Sequence, residues 1–304
     1  MIALVTSELV RLVARRLLRV LLGLVVVGTA LAGVLTFVNT AATTQADLAR
    51  SSAASQARYQ ACLQDPPDVF GPGGRVDSLP PDMLAQLCRD QARVRDERFR
   101  TQDLPDILKG TTAPLVILVT VLGASSIGAD WPTRSITTLL TWEPRRVRVL
   151  LAKALAVAVV GIGLYLLGQA LVVAALGPAM AAHGTGLTGD GFASDLAGTL
   201  ARGCLLTAVM ATLGFAGAAL GRSTTAVLGT AFGYVVVVEN VVGSFLAGWR
   251  QWLLLGNAIV FVSGQDGAGD VLDRSVIAAG VYLVVLAAGL LAAAVLVVRQ
   301  RDIG

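Results

Sequence analysis

The 304 residues are 55% hydrophobic and only 14% charged, against about 25% charged in an ordinary soluble domain, which excludes a wholly water-exposed fold. The net charge is +4, yet no basic stripe interleaved with aromatics points to a nucleic-acid partner. A single histidine, His183, excludes multi-histidine metal clusters and His-based triads. The only lysines, Lys109 and Lys153, precede Gly and Ala, which excludes a phosphate-binding loop of the Gly-Lys-Ser/Thr type.

Met1 to Arg16 sets Ile2, Val5, Leu9, Leu12 and Val13 at helical spacing beside Arg11, Arg15 and Arg16, the pattern of an amphipathic interfacial helix on the inner leaflet. Its alternative is a plain extension of the first span. A span needs roughly 20 apolar residues for a hydrocarbon core of about 30 Å. Six runs qualify: Val20 to Val38, Thr112 to Ile127, Val149 to Leu176, Leu196 to Leu220, Ala226 to Ala247 and Val276 to Val298. The second is short and needs Leu104 to Leu108, or a tilt, to complete it. None alternates with a period of two, so a barrel is excluded and the expected fold is an all-α polytopic membrane protein. A cleaved signal peptide is the rival reading of the N-terminus; the long polar and basic lead and the extended apolar run favour a retained first span as the expectation.

Arginines collect before the first span (Arg11, Arg15, Arg16, Arg19), between the second and third (Arg134, Arg145, Arg146, Arg148, with Lys153), after the fourth (Arg222) and after the last (Arg299, Arg301). The positive-inside rule then puts both termini in the cytoplasm. Residues 41–110 fall outside as an extracellular insertion. Gln45 to Leu63 and Pro81 to Arg100 have helical patterns either side of a Pro/Gly-rich break, a hairpin that brings Cys62 to Cys88, and an oxidising exterior favours a disulfide. Cys204, inside the fourth span, fits a packed apolar role. A solvated projection, a lid and a docking site all suit the hairpin.

Residues 128–153 interrupt the apolar pattern with two tryptophans, two prolines and a basic cluster. Asp130 suits a helix cap, Pro132 a first turn, and Ile136, Leu139 and Leu140 an apolar stripe, which Pro144 ends. The segment reads as a short amphipathic helix across the inner membrane face; an ordinary basic loop anchored by Trp131 and Trp142 is the alternative.

The fifth span carries Glu239 beside Asn240. A charge at mid-bilayer costs about 2.5–3.5 kcal/mol on insertion scales, so it requires a partner, a cavity or a proton. At about 1.5 Å per residue, Arg202 lies roughly 30 Å from Arg222 along the fourth span and Glu239 roughly 25 Å along the fifth, and Gln169 falls at a similar depth. The expectation is an Arg202–Glu239 ion pair, with a polar gate or substrate contact as the alternative. Trp249 to Val262 is apolar but too short to span and is broken at Gly256 and Asn257. Residues 249–265 therefore read as a re-entrant segment, with Asn257 near an exit path, or as a buried external helix. Gln169, Asn240 and Asn257 are the candidate pathway residues.

An acid ending the second span, a TRSITTLL-like turn and WEPRRVRVLLAK opening the third together resemble the type-2 family of ATP-binding-cassette permeases, in the version common in actinobacteria. The SELVRLVARR lead, the GRSTTAV turn, the FGYVVVVEN stretch and the closing RDI extend that resemblance along the chain. The long Cys-bearing insertion and the short second span depart from the pattern.

The resemblance implies a multi-pass subunit of a bacterial plasma membrane with no cofactor of its own. Two copies of a separate soluble ATPase would bring ATP and magnesium, and a second permease, as a homodimer, would complete the complex within membrane lipid. The ATPase-coupling residues would be Asp130, Trp131, Arg134, Trp142, Glu143, Arg145 and Arg146. Such a subunit is not itself an enzyme, and export of a lipophilic or amphipathic compound is the function implied. A membrane sensor or resistance subunit whose hairpin binds a ligand or partner is the alternative; a membrane enzyme is disfavoured by the missing catalytic constellations.

Overall fold

The computed structural model describes residues 2–40, 45–64, 81–92, 99–131, 146–184, 189, 191–245, 247–266 and 272–300. Among these the structure is all-helical apart from one isolated bridge between Phe99 and Gly184. Six helical stretches are long and apolar enough to cross a membrane: Arg16–Asn39, Thr101–Gly128, Val147–His183, Phe192–Gly221, Thr224–Phe245 and Val276–Gln300. The second is completed by Leu104 to Leu108, the residues its short apolar run required, with Pro105 in the first turn where a missing N–H is harmless.

The chain forms two compact units. The first comprises Met1–Gly33, Gln102–Ala175 and Leu187–Gly304. Helix α1 (Ile2–Ala14) and α2 (Arg16–Asn39) are separated by one non-helical residue, Arg15. The core is built by α5 (Leu104–Gly128), α6 (Arg146–His183) and α7 (Phe192–Gly221). Where α5 crosses α7, a Cβ on Gly123 would strike the Ala211 carbonyl and one on Gly214 the Thr120 carbonyl. Only glycine permits that approach, and close backbone packing is a main source of helix association in lipid. Leu12 of α1 and Leu18, Leu21 and Val25 of α2 join this core.

Arg222 ends α7 in the left-handed region (φ 53°), and the Ser223 hydroxyl caps α8 (Thr224–Gly233) by accepting the Ala226 N–H. From Tyr234 to Val242 the helix widens to π geometry before a last α turn, Gly243–Phe245. The run Val235 to Val238 is β-branched and a poor α-former, and the Asn240 amide donates to the carbonyl of Val235, five residues back. Only 6% of this span's apolar window is buried within the chain, against 61% for α7, so its surface is suited to lipid or a second chain.

A 3-10 turn (Ala247–Trp252) leads to α9 (Leu254–Ser263), which ends at Gly264 with φ 70°. Helix α9 packs through Val260 and Phe261 on α7 and on α10 (Val276–Gln300).

The second unit comprises Val34–Thr101 and Leu176–Gly186. Here α3 (Gln45–Gln64) lies beside α4 (Pro81–Ala92), and Cys62 and Cys88 are joined by a disulfide with their Cα atoms 5.6 Å apart. The pairing expected from the cysteine positions is therefore present. His183 ends α6 with Nδ1 2.9 Å from Thr40 Oγ1, its ring stacked on Phe37 and its carbonyl accepting the Phe99 N–H.

Candidate functional site

Residues on α1, α5 and α6 meet in a buried ionic cluster at the base of residues 131–146. Lys153, 3% exposed, donates from Nζ to Glu8 Oε2 and to Asp130 Oδ2, both at 2.9 Å. Arg15, in the break between α1 and α2, donates to Asp130 Oδ1 at 3.0 Å and to the carbonyls of Ser125 and Ser126. Those carbonyls belong to the last turn of α5, where an arginine adds donors to the terminal acceptors and complements the helix dipole. Arg11 adds weaker contacts, 3.6 Å from Asp130 and 3.9 Å from Glu8. Next to Asp130, the Trp131 ring lies 5.0 Å beneath the Arg222 guanidinium, a cation–π contact that brings the α7–α8 turn to the same place.

Asp130 and Trp131 are thus anchored, and Arg146 opens α6. Arg134, Trp142, Glu143 and Arg145 lie outside the described residues, as does the expected helix over them.

The two charges in the spans do not meet. Glu239 Oε1 accepts the Leu255 N–H at 2.8 Å, and the Tyr234 hydroxyl accepts the Leu254 N–H at 3.1 Å. Both are first-turn donors of α9, whose N-cap Leu253 has no side chain able to serve them. Arg202 packs at the opposite end: a Cβ on Gly264, the α9 C-cap, would lie 2.5 Å from its Cζ. Each charge therefore faces the end of the α9 dipole of opposite sign. The expected Arg202–Glu239 ion pair is replaced by two contacts to one helix, because counting depth along the spans leaves out the helix lying between them.

The candidate pathway residues are held in local bonds. Gln169, 2% exposed, donates to Leu108 O and Thr112 and accepts from Thr111, knotting α6 to α5. Asn257, fully buried, donates to Gln251 O and Leu253 O and accepts from Arg274 at 2.7 Å. Arg274 also lies over the rings of Trp252 and Tyr282. Among the described residues no three His, Cys, Asp or Glu side chains are grouped to hold a metal.

Residues 2–259 match the family model for ABC-2 family transporter proteins, a span that runs from α1 into α9 and takes in the whole ionic cluster. The chain belongs to the ABC-2 transporter family. No curated protein and no solved structure matches it. Membership makes it a multi-pass membrane subunit of an ABC transporter, a class that lacks its own ATPase site and works with an ATPase partner.

In this ABC-2 permease, sequence reasoning overlooked Glu8 and took Lys153 for a flanking positive charge. One signal was available. Glu8 is the only acid in the first 46 residues, and Lys153 precedes a long apolar run, so each needs an opposite charge once buried.

Proposed function

We propose that this ABC-2 permease moves a lipophilic or amphipathic compound outward, driven by two copies of a soluble ATPase that bind ATP and magnesium. Both termini are cytoplasmic, two permease chains form a homodimer in the bacterial plasma membrane, and residues 128–153 couple it to the motor. The observation that carries this reading is the Glu8–Lys153–Asp130 cluster. It ties α1, the end of α5 and the start of α6 together where residues 131–146 leave and rejoin the bundle. A push on that segment would be delivered to three helices at once rather than absorbed by a loop, and packed helices pass such displacements on as rigid bodies. The glycine-tight α5–α7 crossing supports the same transmission.

The test is affinity purification from native membranes in mild detergent, with a Glu143/Arg145/Arg146 triple-alanine variant alongside. Recovery of an ATPase with the natural chain and its loss with the variant is expected. A stable natural chain without any ATPase would overturn the reading. The disulfide-joined α3–α4 hairpin favours a second reading, a sensor that binds a ligand or partner outside. Substrate flux in vesicles that persists after deletion of residues 45–92 would exclude an obligatory sensing role.

A further inference from the structure

We infer that Arg202 binds the phosphate of a membrane phospholipid in the leaflet on the Phe192 side of the bundle. Among the described residues Arg202 has no ion pair: Glu239 stands at the other end of α9, where it accepts the Leu255 N–H. Its Nε is buried without an acceptor, and so is Oγ1 of Thr199, one turn nearer the Phe192 end and 1% exposed. The guanidinium is held in a slot floored by glycines: a Cβ on Gly264 would lie 2.5 Å from Cζ, and the Cβ position of Gly198 is 3.2 Å from Nη1. Gly264 has φ 70°, so its lack of a side chain serves both the turn and the slot.

The α9 C-terminus offsets part of the charge but bonds none of the five N–H donors of the guanidinium. Helix α7 has 30 residues and is about 45 Å long, so it overhangs a core of about 30 Å by several ångströms at each end. Arg202 lies about 15 Å from the Phe192 end, which puts its backbone inside the hydrocarbon boundary, and its long side chain can lift the guanidinium to headgroup level. An unpaired arginine at that depth draws an anion, and a phosphate diester fits its planar fork in bidentate fashion.

The experiment delipidates the full-length chain in detergent and measures the shift in melting temperature on adding phosphatidylglycerol, diacylglycerol or inorganic phosphate, for the natural chain, Arg202→Gln and Arg202→Lys. Native mass spectrometry counts retained phospholipid. Phosphatidylglycerol should bind the natural chain roughly ten- to a hundredfold more tightly than Arg202→Gln, the worth of a charged hydrogen bond. Arg202→Lys should fall between them, and diacylglycerol should do nothing. Equal lipid retention and equal shifts in all three proteins would overturn the proposal. A full shift from inorganic phosphate alone would overturn the lipid assignment in favour of a free anion. Should Arg202→Gln not fold, Arg202→Lys carries the comparison by itself.

Discussion

The base of α1, α5 and α6 and the surroundings of α9 solve the same problem differently. At the base, three cations each lie within 4 Å of at least one of two carboxylates and pair with them side chain to side chain, linking α1, the end of α5 and the start of α6. Around α9, one acid and one base stand at opposite ends of a ten-residue helix and meet its backbone. A direct pair depends on both partners and on their signs; a charge at a helix end depends on the helix being present and on its direction. The first arrangement ties several segments together, and the second ties two spans to the ends of one helix.

Removing a shared partner at the base should have the largest effect. Lys153→Met leaves Glu8 and Asp130 buried with only the arginines, and breaking a buried pair in this way is worth about 3–5 kcal/mol. The unfolding midpoint in detergent would show it, and a loss under about 1 kcal/mol would mean that the cluster is hydrated. The double exchange Arg202→Glu with Glu239→Arg comes next. A direct pair would tolerate it, whereas here both ends of α9 receive the wrong sign, at up to about 2 kcal/mol each. Hydrogen exchange of the amides at 254–263 should rise above that of either single variant; rescue would restore the ion-pair view.

Glu239→Leu leaves the Leu255 N–H without its acceptor and should weaken α9 by about 1–2 kcal/mol, while Glu239→Gln, which retains an acceptor oxygen, should lose less than half of that. Equal losses in the two would show that charge, not acceptance, is what α9 requires. Arg11→Ala should be the mildest: its side chain is 40% exposed and its contacts are 3.6 Å or longer, the range in which ion pairs contribute about 0–1 kcal/mol. The same unfolding midpoint reads it.

The six spans were legible because length and hydropathy are local properties of the chain, and the disulfide because two cysteines outside the spans allow one pairing. What was not legible is long-range. Glu8 and Lys153 are 145 residues apart, and no periodicity says which buried charge will find which. Asp130 was legible as a polar residue at a helix boundary, but its role as the shared acceptor of Lys153 and Arg15 depends on where α1 folds back. At Glu239 the local pattern misled. A continuous α-helix was assumed where four consecutive valines widen the turn, and a backbone N–H from a short helix was not weighed against an arginine.

The Cys62–Cys88 bridge also makes the molecule a reporter of its own orientation. Thiols on the reducing side of a cell membrane stay open to alkylation, whereas cysteines paired on the oxidising side are silent to it. Mass spectrometry of the 45–92 peptides after alkylation of intact cells therefore reads the side on which α3 and α4 lie. Material made in a reducing cell-free lysate would carry the same spans with α3 and α4 unlinked, so where the chain is synthesised becomes an experimental variable in any assay that depends on those two helices.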